Sequence, residues 1–140
     1  MCENLEKAKT LLEKTGSTCV LCSGDVILTD KRRGVRPLLD LLESNTDVAN
    51  FSVADKVVGK AAAYLYCLLR IKHIYAGVIS RPALAVLQNS GIEAQYGQLV
   101  DAIQNRTKDG FCPMERAVWN IEDPHEAHQA ILQTLASLTK

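Results

Sequence analysis

Apolar residues recur at helical spacing over the first fifteen positions. Leu5, Ala8, Leu11 and Leu12 make one stripe, Glu and Lys fill the other face, and Gly16 stops the run, so residues 3–15 are predicted as an amphipathic helix. The period then shortens. "STCVLCSGDVILTD" holds two short apolar runs joined at Ser23-Gly24-Asp25, which predicts a hairpin of strands 18–23 and 25–30. A charged loop, "DKRRGV", leads to Pro37, which suits the first turn of a helix running to about Glu43.

The longest helical pattern lies in "FSVADKVVGKAAAYLYCLLRIK". From Val57 to Leu69 its apolar residues fall on nearly every side, which predicts a buried central helix starting at Ser52. "HIYAGVIS" is a β-branched run without polar alternation, as expected of a strand covered on both faces. "RPALAVLQNSG" follows as a helix with Pro82 near its start and Gly91 at its end. "IEAQYGQLV" reads as a further strand, residues 101–111 as a turn or loop, and Cys112 to about Asn120 as a short helix. A last helix starts at Asp123-Pro124, with Ala127, Ala130, Ile131, Leu135 and Leu138 as its stripe. The order α-ββ-α-α-β-α-β-α implies an α/β fold, a three-layer α/β/α sandwich around a central mixed sheet. No repeat or linker divides residues 1–140, so a single domain is expected.

Composition narrows the function classes. Sixteen basic and sixteen acidic residues cancel, with 47% hydrophobic and 23% charged residues, which argues against a nucleic-acid-coating protein. No apolar run approaches the roughly 18 residues that span a bilayer, so no membrane partner is expected. "MCENLEKAKTLLEK" lacks the pattern of a secretory signal. Five cysteines, an odd number scattered through apolar segments, suit reduced thiols, and a cytoplasmic location is expected.

The segments "ADKVVGKAAA", "GVISRPALAVL", "IQNR" and "GFCPMERAV" resemble a small uncharacterised prokaryotic family whose fold is a variant of the cytidine-deaminase-like sandwich. The resemblance covers most of the chain. Working zinc deaminases need His-x-Glu at the start of the central helix and Pro-Cys-x-x-Cys at the start of the next. The stretches set against these, "SVADKVV" and "SRPALAVL", contain neither histidine nor cysteine, so zinc-dependent deamination is not expected.

Other metal spacings fare no better. Cys19 and Cys22 are three apart on a strand and should point to opposite faces. "HEAH" lacks the His-Glu-x-x-His spacing and a third ligand, and a solvated helix face is the plainer reading of His125 and His128. No metal and no cofactor is called for.

Two helix starts hold the candidate pocket. Ser52 to Asp55 form a capping-box pattern if Asp55 stands at N3. Lys56 and Lys60 then repeat a positive charge one turn apart near the positive end of the helix dipole, with Gly59 between them. The like charges cost roughly 0.2–0.5 kcal/mol and the glycine about 1 kcal/mol relative to alanine. Such local conflict favours a site for a small anionic or nucleotide-like ligand at free backbone N–H groups, with Gly59 permitting close approach. The bland alternative has both lysines in water and Gly59 accommodating a crossing strand.

Ser80 and Arg81 stand at a strand-to-helix junction, where open α/β sheets place ligands, and the resemblance implies that they lie near Asp55 and Lys56. Arg81 could hold a carboxylate or phosphate with two parallel bonds. In "CPME", Pro113 fits N1 and Glu115 N3, leaving Cys112 as N-cap, where the dipole would activate its thiol while Glu115 would oppose that. Asn105 and Arg106 precede this turn and are candidate ligand contacts through the resemblance, and Glu115 is counted as a candidate ligand contact with them.

Three functions remain. One is a zinc-independent domain that binds a small molecule. Another is an enzyme using Cys112 as nucleophile, or Lys56 with Asp55, for group or proton transfer. The third is a structural or homo-oligomeric partner protein with an exposed apolar face.

Overall fold

A computed structural model describes residues 3–32, 34–103 and 112–138. Its elements in chain order are α1 (Glu3–Thr15), β1 (Cys19–Ser23), β2 (Val26–Asp30), α2 (Arg36–Glu43) and β3 (Ser52–Val58). There follow α3 (Lys60–Leu69), β4 (His73–Ser80), α4 (Arg81–Asn89), β5 (Glu93–Val100), α5 (Pro113–Val118) and α6 (Pro124–Leu138). The expected elements are present except at one place. Residues 52–58 are a strand, and the central helix starts at Lys60.

The five strands form one mixed sheet in the order β2-β1-β3-β4-β5. β1 pairs antiparallel with β2 and β3, while β3, β4 and β5 run parallel. Helix α1 packs on one face, over β1 and β3, with Ala8 and Leu12 against Val20, Cys22 and Ala54. The larger core lies on the other face, where α3 packs against its neighbours α2 and α4, and against α5 and α6. Cys19 belongs to that core and Cys22 to the α1 side, so the two thiols do point to opposite faces.

The parallel strands break their alternation together. On the α3 face stand Val53 and Val58 of β3, Ile74, Ala76 and Ile79 of β4, and Ala94 and Leu99 of β5. In each strand the inward set changes parity, as one extra residue would make it do. The register puts Lys56, Gly77 and Gly97 level with one another at this point. A Cβ on Gly77 would come within 2.7 Å of the Lys56 carbonyl oxygen, and one on Gly97 within 2.9 Å of the Gly77 carbonyl oxygen. Two glycines therefore let three backbones step in unison. Beyond the step Val58 and Ile79 enter the core, and Val57 turns out to be 47% exposed.

Replacing Gly77 with alanine should lower stability by about 1–3 kcal/mol, because a backbone oxygen blocks the new methyl group. Urea denaturation measures this, and an unchanged midpoint would show that the step is not tight.

Candidate functional site

The N-termini of α2, α3 and α4 follow the ends of β2, β3 and β4 respectively, so all three helices begin at one end of the sheet. α4 caps itself, with the Ser80 hydroxyl accepting from Ala83 N–H at 3.3 Å. α3 cannot do the same. Its N-cap is Gly59, in extended geometry and with no side chain to offer.

The cap comes from 55 residues further on. One oxygen of Glu115 accepts the Lys60 N–H at 2.8 Å and the other accepts the Ala61 N–H at 2.9 Å. Glu115 is 2% exposed. A Cβ on Gly59 would stand 2.5 Å from that carboxylate, so the glycine is there to admit an internal anion. Burial raises the pKa of Glu115, against the lowering effect of the two backbone bonds and of Lys60. Lys60 Nζ donates to the Trp119 carbonyl at 2.8 Å, and the Tyr64 hydroxyl donates to the Ile121 carbonyl. The same α3 turn thereby holds both ends of α5.

Several expected placements need correction. Asp55 and Lys56 are not in the first turn of a helix, because Ser52–Val58 pair as a strand between β1 and β4 and no capping box exists there. Lys56 and Lys60 are not one helical turn apart, so the like-charge conflict disappears. Lys56 is exposed, and its backbone N–H goes to the Thr18 carbonyl. The α3 N–H groups are filled by Glu115 rather than open to a ligand. Arg81 is exposed and paired with Asp101 at 3.0 Å. Cys112 is the N-cap of α5, with its thiol capping nothing, and it is half-buried against the core. Asn105 and Arg106 lie outside the described residues.

What sequence reasoning missed is a buried polar chain under α3. The Tyr66 hydroxyl donates to an Asp55 oxygen at 2.6 Å. Cys19 Sγ lies 3.3 Å from the same hydroxyl, so with that proton committed the thiol is the donor to Tyr66. The other Asp55 oxygen has a long 3.4 Å contact from the Val57 N–H. Desolvation pushes the Asp55 carboxyl up to about 7, while the Tyr66 and backbone bonds pull the other way. Burial likewise raises the Cys19 thiol and the Tyr66 phenol.

A signal for this arrangement was present in the chain. "VADKVVGKAAA" and "IYAGVISRPAL" align without gaps, the offset of 21 residues being that of the β3–β4 register. Val57-Val58-Gly59-Lys60 thus mirrors Val78-Ile79-Ser80-Arg81, strand end, cap and cation in both. Reading them as a duplicated strand-to-helix unit makes Ser52–Val58 a strand.

Residues 7–135 match the family described as Domain of unknown function (DUF1893). The crystal structure of a DUF1893 family protein from Thermotoga maritima is 30% identical, with a TM-score of 0.87 over 95% of this chain and 91% of that one. The chain belongs to the DUF1893 family. No curated protein matches it. A diaminohydroxyphosphoribosylaminopyrimidine deaminase/5-amino-6-(5-phosphoribosylamino)uracil reductase from Thermotoga maritima is 15% identical, with a TM-score of 0.43 over 67% of this chain and 35% of that one. A likeness so partial carries no argument about this DUF1893 domain. Among its described residues no three His, Cys, Asp or Glu side chains gather to hold a metal ion, and no helix is long and apolar enough to cross a membrane.

Two outcomes are expected. Gly59→Ala and Glu115→Gln should each destabilise by about 1–3 kcal/mol in urea, since each disturbs the cap on buried N–H donors. Asp55 binds its proton more tightly folded than unfolded, so its contribution is full below about pH 4 and is lost as pH rises through about 7. Asp55→Asn should therefore gain stability relative to wild type as pH rises from about 4 to about 7. Parallel pH profiles of the urea midpoint would contradict the raised carboxyl.

Proposed function

We propose that this DUF1893 domain binds a small molecule without zinc, and that Asp55 rather than the α3 N-terminus reads it. The observation that carries the proposal is the half-buried Asp55 carboxyl, one oxygen held by Tyr66 and the other left with a 3.4 Å contact. That weakly engaged oxygen retains capacity for a donor.

The ligand's chemistry follows from what is already engaged. Glu115 occupies the α3 N–H groups, the Lys60 ammonium serves the Trp119 carbonyl and Arg81 serves Asp101. These were the groups suited to an anion. A neutral or cationic hydrogen-bond donor, such as the amide or amine edge of a nucleotide-like molecule, fits Asp55 better. Asn105 and Arg106, in the segment between β5 and α5, are proposed as further contacts. Ser80 serves as the α4 cap that shapes that end.

A second reading is proton transfer with Asp55 as general base, favoured by the desolvation that pushes its carboxyl up to about 7. In this reading Lys56 and Cys112 are the accessory candidates.

The test is thermal shift and calorimetry with nucleosides, simple amides, amines and inorganic phosphate. Nucleosides or amide-bearing compounds should stabilise the wild type and bind more tightly as pH rises through about 7, because the ionised carboxyl accepts a donor better. Asp55→Asn should weaken that binding at least ~10-fold. Stabilisation by phosphate alone, unaffected by Asp55→Asn, would contradict the reading.

A further inference from the structure

The two edges of the sheet are built differently. β2 is a five-residue edge bounded by Asp25 and Asp30, with Lys31 and Arg32 next in sequence and the Lys7 ammonium on the Gly24 carbonyl. Short length and flanking charge are how soluble proteins blunt an edge. β5 has eight residues, and from Ala94 to Val100 it carries no charge and no proline. Among the described residues β5 pairs only with β4, which leaves one row of its backbone N–H and C=O groups without a strand partner.

Its side chains give the row no cover. Gln95, Tyr96, Gly97 and Gln98 are consecutive exposed positions, Tyr96 being 43% exposed. The step at Gly97 could have twisted the edge away, but Gly77 and Lys56 share it, so β5 stays in register with β4 on both sides of it. A surface this free of charge is unusual in a chain with 23% charged residues.

We propose that the outer edge of β5 is where two copies of this chain pair, antiparallel about a two-fold axis, joining their sheets into one. A two-fold contact sets a patch against itself, so it favours groups that complement themselves. A row of alternating backbone donors and acceptors does so, and so do glutamine amides, which donate and accept alike. A charged edge would repel its own copy. The neutral run 94–100 does not; the acids Glu93 and Asp101, which this pairing brings together at its two ends, each have a partner in their own chain, Glu93 in His73 and Asp101 in Arg81.

The experiment is analytical ultracentrifugation of the full chain across the micromolar range, with hydrogen exchange of residues 94–99. Wild type should sediment at twice the 15.4 kDa chain mass. The outward amides of β5 should become protected as concentration rises. Gln95→Lys with Gln98→Lys, both exposed positions, should halve the mass while leaving the circular dichroism unchanged. Ile27→Lys on the β2 edge should leave the dimer intact. A monomeric wild type would overturn the proposal, including one whose β5 edge is protected only by an added partner peptide. So would a dimer that survives the double lysine variant, since the contact would then lie elsewhere.

Discussion

The carboxylate of Glu115 on the first turn of α3 is the contact on which this architecture turns. A helix start carries N–H groups that its own backbone cannot satisfy, and here that start is buried under α5. Leaving them unpaired would cost more than a typical bond contributes. Glu115 satisfies two of them at once with charge assistance, and its reach sets where α5 sits. Lys60 and Tyr64 then engage the Trp119 and Ile121 carbonyls at the other end of the short helix. α6 packs on α3 and α5, so the C-terminal part of the fold inherits its position from this cap.

A second constraint acts across the sheet. Lys56, Gly77 and Gly97 lie level, and the parity of the inward residues changes in all three strands there. Before the step Asp55 faces α3 and meets Tyr66, while after it Val58 and Ile79 seal the core just below the helix starts. Because the step is shared, the parallel register is kept. The same device leaves Val57 exposed on the α1 side, where a parallel sheet would ordinarily be covered.

Most elements were legible because their signals are local. The stripe of α1, the glycine of the hairpin, Pro37, Pro82 and Pro113 at helix starts, and the β-branched run of β4 each declare themselves within a few residues. β3 did not. Asp55 and Lys56 interrupt its apolar run, and the alanine-rich α3 follows after one residue, so a helical period fits both stretches. Only the match to "IYAGVISRPAL" separates strand from helix. Of the candidate site, Glu115 was legible as an N3 residue of α5, and Gly59 as a place of close approach, but for a ligand or backbone within a helix rather than for a side chain at its N-cap. That the glycine admits this glutamate could not be read, since nothing local links positions 56 apart.

The sequence by itself determined the α/β class, the helix starts at proline, the opposite facing of Cys19 and Cys22, and the absence of histidine and cysteine from the stretches 52–58 and 80–87. Each of these depends on local backbone geometry or on residue type alone. Tertiary structure decided which charges meet. It placed the Glu115 carboxylate on α3, turned Asp55 toward Tyr66 and Cys19, and gave Lys60 and Arg81 partners within the fold. The physical reason is that burial and hydrogen-bond partnership belong to the packed chain. A lysine beside a helix start looks available until the carbonyl that holds it is brought there by another helix.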